Sequence, residues 1–290
     1  MKKKLKIALH ALLFLAVALA VAVFIVGRNH GFFRAPVYET EPVALPALSR
    51  PAVLVFSKTN AFNHAEAIPA AKELLRRLAE ANGWSVFFSD SGALFNAADL
   101  AKFDVVVWNN VTGDVLNAEQ RRAFEQYIEG GGGFVGLHGA GDASTRKNWP
   151  WYAALIGPRF TGHPMNPQFQ TATLHLEPDA ITRDFDPVWQ RSDEWYSFEE
   201  SARKPGFHIL ATLDESTYQP EAFGMSLRMG RDHPVIWKHC VNNGRAFYSA
   251  LGHTAESYRE PKHEALLRNA VAWAAGLEGE GCAGEQGSDR

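Results

Sequence analysis

Cysteine is scarce in this 290-residue chain, which has only Cys240 and Cys282. Two cysteines cannot build a disulfide-stapled miniprotein or a four-cysteine zinc module. Neither stands where a nucleophile is expected, since Cys240 reads as mid-strand and Cys282 lies in a polar tail. They could pair in an oxidising compartment, although a tail cysteine has no fixed geometry. Glycine and proline show no period, and 24 Gly with 15 Pro exclude a collagen-like or low-complexity polymer. A phosphate-binding glycine loop is missing as well. Gly130–Gly133 precedes an apolar run, whereas such a loop must follow a strand and open a helix, so no nucleotide or flavin is expected. Net positive charge is confined to one end. Residues 1–50 hold seven Lys/Arg against two acids, and the rest carries 22 basic and 30 acidic residues, a net of −8. A domain that negative repels a phosphate backbone, so nucleic acid is not an expected partner.

The basic end is a membrane signal. Lys2, Lys3, Lys4 and Lys6 precede a run from Ile7 to Val26 in which His10 is the only polar side chain. Twenty helical residues span roughly 30 Å, the hydrocarbon thickness of a bilayer. A cleavable signal has a shorter apolar stretch ending in small residues, and this run ends in bulky Val23-Phe24-Ile25-Val26. Residues 1–27 therefore read as an uncleaved anchor. Ala18 and Ala20 offer the alternative, a cleavage site and a secreted product. Four lysines before the run, against Arg28 and Arg34 after it, put the N-terminus in the cytoplasm and the bulk of the chain on the extracytoplasmic (periplasmic) side. Residues 28–50, with Pro36, Pro42 and Pro46, read as a linker; residues 278–290, rich in Gly and Glu, read as a solvated, mobile tail.

Between them, residues 51–277 alternate strand and helix. Ala52–Phe56, Trp84–Phe88, Val105–Trp108 and Phe134–Leu137 are short apolar runs of the kind buried on both faces of a parallel sheet. The helix between the first two carries Ile68, Ala71, Leu75 and Leu78 at helical spacing and ends at Gly83. Another opens on a capping-box-like Asn117 and Gln120. This βαβαβαβ order predicts an α/β fold: an open, mostly parallel, flavodoxin-like sheet with helices on both faces. Beyond residue 165 the pattern changes. Gln168–Leu176 alternates like a half-exposed strand, and Val235–Val241 and Arg245–Leu251 flank the hairpin signal Asn242-Asn243-Gly244, which adds antiparallel strands. A helix over His263–Ala275 closes the domain.

Ligands of open parallel sheets bind at the carboxyl ends of the strands. After the first strand come Asn60, Asn63 and His64; after the third, Asn109 and Asn110; after the fourth, Gly136-Leu137-His138-Gly139-Ala140. The last has the glycine spacing of a nucleophile elbow, with His138 in place of Ser or Cys. A glutaminase or cysteine-peptidase reading fails on that chemistry, whereas a histidine there serves as general base or metal ligand. The elbow should project His138 into the crevice rather than the core. Further polar groups are His163, Asp193 and Glu194 with Trp195 and Tyr196, and His253 beside Gly252. Trp149, Trp151 and Tyr152 suit packing better than sugar stacking, and Trp237 reads as core.

The motifs Phe62-Asn63-His64, Gly136-Leu137-His138, Gly162-His163-Pro164, Asp193-Glu194-Trp195-Tyr196, Pro234-Val235-Ile236-Trp237 and Gly244-Arg245-Ala246-Phe247-Tyr248 through Gly252-His253 run in order along residues 51–277. In them the sequence resembles the ThuA-like (trehalose-utilisation) family, which has a class I glutamine-amidotransferase-like, flavodoxin-related fold. One departure is visible. Where family members often show Asp-His-Pro before the next Ile-Thr, this chain has Pro178-Asp179-Ala180 before Ile181-Thr182. The resemblance implies carbohydrate metabolism, with disaccharides and keto-sugars foremost.

The combined expectation is an enzyme acting on a small sugar or keto-sugar as a hydrolase, lyase or isomerase. His138, His64, Glu194 and His253 are its catalytic candidates, and Asn109, His163, Asp193, Trp195 and Tyr196 its substrate-binding ones. A divalent metal such as Zn, if present, would sit among His64, His138 and His253. The other reading is a non-catalytic sugar-binding module. Several converging histidines favour the enzyme, because a binding pocket gains little from protonatable groups.

Overall fold

The computed structural model describes residues 2–29 and 35–282. Helix α1 (Lys2–Asn29) contains a 24-residue stretch, Leu5–Arg28, that is long and apolar enough to cross a membrane and is almost wholly exposed. Residues 35–50 carry no helix or strand, as expected of a linker, but they lie fastened along the domain. Glu39 and the Val37 carbonyl take the Lys58 ammonium, Gln120 Nε2 donates to the Glu39 carbonyl at 2.7 Å, and Val43, Leu45 and Leu48 pack on the core. Residues 30–34 and 283–290, the latter most of the expected tail, lie outside the described residues.

The sheet has nine strands: β1 (Ala52–Phe56), β2 (Ser85–Ser89), β3 (Val105–Asn109), β4 (Gly133–Leu137), β5 (Phe169–Leu176), β6 (Val188–Glu194), β7 (Phe207–Asp214), β8 (Pro234–Val241) and β9 (Gly244–Ser249). Their spatial order is β2-β1-β3-β4-β9-β8-β7-β5-β6. The first five are mutually parallel and the last four run on antiparallel, so the flavodoxin-like half and its antiparallel extension form one continuous sheet. β1, β3 and β4 are buried throughout, in keeping with their unbroken apolar runs.

Helix α2 (Ala67–Asn82) follows β1 and buries Ala71, Leu74, Leu75 and Leu78; it ends where Gly83 adopts φ 70°. Helix α3 (Ala118–Glu129) opens on the Asn117/Gln120 capping box. Helix α4 (Pro150–Ile156) brings in Tyr152, which stacks 4.7 Å from Trp108, and Trp149 stacks 5.1 Å from Tyr152. These aromatics are core, as is Trp237, whose indole N–H donates to the Ile156 carbonyl at 3.1 Å. Helix α5 (Pro261–Ala274) closes the fold. Cys240 of β8 is disulfide-bonded to Cys282, with Cα atoms 5.5 Å apart. The segment carrying Cys282 is therefore fixed to the sheet, and the bridge supplies the geometry that its sequence context did not.

Candidate active site

Four separate segments meet at the carboxyl ends of the parallel strands. His64 arrives on the loop between β1 and α2, where Asn60 N–H donates to the Thr112 carbonyl at 2.8 Å and Thr112 Oγ1 to the Phe62 carbonyl at 2.6 Å. These bonds dock the loop on the one after β3. His138 is the first residue beyond β4 and holds φ 41°, a left-handed conformation that a side chain with a Cβ adopts only under constraint. The constraints are visible. Tyr248 hydroxyl donates to the His138 carbonyl at 3.0 Å, and His138 Nδ1 donates to the Ala250 carbonyl at 2.7 Å, which leaves Nε2 as the working nitrogen. Gly139 next door must be glycine, because a Cβ there would stand 2.7 Å from His64 Cε1.

His253 follows β9, and its loop is set by Asp193: Gly252 N–H donates to one carboxylate oxygen at 2.9 Å and His253 N–H to the other at 3.2 Å. Glu194 is the last residue of β6, brought across by pairing opposite Phe169 of β5. Its carboxylate is buried, with Oε2 3.0 Å from His253 Nδ1 and 3.4 Å from His138 Nε2, and Oε1 3.2 Å from His163 Nδ1 and bonded by Gln168 Nε2. His64, His138 and His253 each offer a ring nitrogen, and the three nitrogens lie within 4.8 Å of one another.

These contacts drive the proton affinities apart. Burial alone would raise the Glu194 carboxyl, but hydrogen bonds from His138 and His253 outweigh it and hold the group well below the usual carboxylate range. Burial would lower His138; the hydrogen bond and charge of Glu194 reverse that and raise it. His64 is pushed well below its ordinary value, first by burial and then by the charges on His138 and His253. Burial moves the Asp142 carboxyl up to about 6.

The group opens on a cavity of about 610 Å³ walled by Phe62, Phe160, Met165 and Tyr196, with His64, His163, Gln168, Asp142, Glu194 and His253 as its polar lining. Tyr196 covers His138, ring centroids 4.3 Å apart. His138 itself is fully buried. It forms the floor behind Glu194 and Tyr196 rather than projecting into the crevice as the elbow spacing suggested.

The amino-acid sequence of this chain matches the ThuA (trehalose utilisation) family model over residues 52–274. The chain belongs to the ThuA family. Among solved structures, a ThuA-like protein from Bacteroides uniformis is 22% identical, with a TM-score of 0.68 over 81% of this chain and 95% of that one. A second ThuA-like protein, from Parabacteroides merdae, is 20% identical with a TM-score of 0.59 over 78% and 90%. A Salmonella typhimurium protein described as cytoplasmic is 12% identical with a TM-score of 0.50, covering 78% of this chain and 98% of its own. At these identities the likeness is one of fold. No curated protein matches the chain.

On this ThuA scaffold His64, His163, Glu194, Tyr196 and His253 reach the cavity wall, with His138 beneath. Three of the expected substrate-binding residues are placed elsewhere. Asn109 is buried under α2, its Nδ2 donating to Ser57 Oγ at 3.2 Å and the Ile68 carbonyl at 3.0 Å. Trp195 points to the other face, its indole N–H donating to the Gln170 carbonyl at 2.7 Å. Asp193 is wholly buried and spends its carboxylate on Arg191, Ser257 and the His253 loop. Phe62 was quoted only as part of a motif, and Phe160, Met165 and Gln168 carry no local signal. They become lining because the short strand Phe160–Gly162 and the loop before β5 fold over the crevice.

Proposed function

We propose that this ThuA protein is an enzyme of carbohydrate metabolism that acts on a small sugar or keto-sugar by histidine–carboxylate acid–base chemistry. One observation carries the reading: the Glu194 carboxylate is buried between imidazoles at the base of an aromatic-walled cavity. Environments that push neighbouring titratable groups in opposite directions mark acid and base roles. Here His64, kept neutral, is the base able to take a proton from a hydroxyl or from the carbon beside a keto group. His253, at the cavity wall and 3.0 Å from Glu194, is the acid able to return one to an oxygen, and His138 holds the carboxylate from beneath. Phe62, Phe160 and Tyr196 offer apolar faces to a sugar ring, and Gln168, His163 and Asp142 offer hydrogen bonds to its hydroxyls. A thermal-shift and turnover screen of disaccharides and their keto derivatives tests this. Binding with turnover is the expected result; binding of unmodified sugar without turnover would replace the enzyme with a binding module.

The same proposal places the domain outside the cytoplasm, tethered by α1. The supports are the lysine-rich leader before α1 and the Cys240–Cys282 disulfide, a bond that persists in oxidising compartments. A reporter active only outside the cytoplasm, fused after residue 290, should be active and sediment with membranes. A silent reporter would overturn the orientation, and a soluble, shortened product would show that the helix is cleaved.

A further inference from the structure

Three ligand-type atoms on the cavity floor lie within 3.4 Å of one another. His138 Nε2 is 3.1 Å from His253 Nδ1; His253 Nδ1 is 3.0 Å from Glu194 Oε2; and Glu194 Oε2 is 3.4 Å from His138 Nε2. His138 Nδ1 is committed to the Ala250 carbonyl, so its proton takes no part. A proton on His253 Nδ1 bridges to Glu194 Oε2 and to His138 Nε2 and leaves those two in van der Waals contact at 3.4 Å. A proton on His138 Nε2 instead leaves His253 Nδ1 and Glu194 Oε2 opposed at the shortest of the three separations. One proton thus accounts for the two short edges, and the same three atoms also face one common point. A cation at that point contacts all three. Two ligands bound 2.0–2.1 Å from a tetrahedral ion are about 3.3–3.4 Å apart, close to the edges observed.

We infer that this floor is a binding site for a divalent transition metal, with His138 Nε2, His253 Nδ1 and Glu194 Oε2 as ligands and His64, whose ring nitrogen lies within 4.8 Å of those of the other two histidines, as the candidate for a fourth. The inference deepens the reading of this cavity as the reaction site and rests on it. An independent observation points the same way. His64 is 5% exposed, its Nδ1 is buried without a hydrogen-bond partner, and a nitrogen of its ring lies within 4.8 Å of those of the other two histidines. An unpaired buried imidazole is costly, and ligation removes that cost. The surroundings are also those of a metal site. The ligating His138 donates its far N–H to a backbone carbonyl, and Glu194 Oε1 is held by Gln168 and His163, so that Oε2 is left free for the ion. Imidazole nitrogens with one carboxylate suit zinc and its first-row neighbours and disfavour magnesium or calcium, which take oxygen ligands. An ion here would polarise a carbonyl or hydroxyl oxygen of a sugar bound in the cavity.

The test uses the full-length chain, solubilised, stripped with chelator and titrated with Zn²⁺, with elemental analysis and calorimetry as readouts. About one equivalent should bind, Mg²⁺ should not, and His253→Gln and His64→Gln should each weaken binding by at least about tenfold. His175→Gln, an exposed histidine distant from the cavity, is the control and should bind as the parent does. Should His253→Gln fail to fold, His64→Gln decides alone. Binding below about a tenth of an equivalent, or binding unchanged by both replacements, overturns the metal site. Sugar turnover by metal-free protein alongside that result would leave the acid–base reading standing. One equivalent of zinc without turnover of any sugar would keep the site and remove that reading.

Discussion

Replacing Glu194 by Gln should lower turnover by about 10²- to 10⁴-fold and leave a folded protein. That is the usual range for losing acid–base machinery. Glu194 is the one group that touches His138, His253 and His163 at once, at 3.4, 3.0 and 3.2 Å. Its hydrogen bond and negative charge raise the proton affinity of His138 against full burial, so the amide changes that imidazole as well as removing the carboxylate. Gln keeps the volume, and Gln168 can still bond the side-chain oxygen, so packing in β6 is preserved. Glu194→Asp, which keeps the charge but retracts it, should recover part of the rate. The checks are steady-state kinetics and a thermal melt on both variants. Full activity in Glu194→Gln would remove the carboxylate from the mechanism. His138→Ala is a poorer probe of chemistry than the elbow pattern suggested. The imidazole is fully buried and bonded to Ala250, so its loss destabilises the fold as well as the site.

The residue before Glu194 should show the opposite division. Asp193→Ala should cost about 3–5 kcal/mol of stability, the range for removing one partner of a buried ion pair. Arg191 and Asp193 are both buried, joined at 2.9 Å, and Arg191 also reaches Ser257. Burial would raise the Asp193 carboxyl, but the Arg191 charge outweighs it and holds the group below its ordinary value. Without it the guanidinium keeps only the part-exposed Glu260, 3.4 Å away, and Gly252 and His253 lose the acceptors of both their N–H groups. Urea unfolding of Asp193→Ala against the parent measures the cost. A midpoint unchanged within error would mean that the pair is not what holds the His253 loop. Asp193→Asn should fall between the two, since the amide still accepts hydrogen bonds but carries no charge.

Much of this protein could be read locally. The parallel strands announced themselves as unbroken apolar runs because both faces of such a strand are covered, and α2 and α3 by their spacing, capping box and Gly83. The N-terminal helix was plain from twenty apolar residues. His138, His163 and His253 stood out because protonatable groups beside glycines are conspicuous in one dimension, His64 by its place after the first strand and Glu194 by the aromatics that follow it. Strands β6 and β7 were not legible. β6 carries Arg191, Asp193 and Glu194, charges that read as a surface loop until Arg191 is seen paired with Asp193 and Glu260, and Glu194 with the imidazoles. The division between Glu194 and its neighbours also needed tertiary structure. Successive residues of a strand point to opposite sides, so Glu194 reaches the cavity while Asp193 and Trp195 turn away from it, and only the register with β5 decides which. Whether two cysteines meet depends likewise on where the chain returns. By itself the sequence determined the elements, their order and the residue types of the site. The convergence of distant segments on one carboxylate was decided by the sheet, because the 3 Å contacts that set proton affinity exist only between residues that local pattern cannot connect.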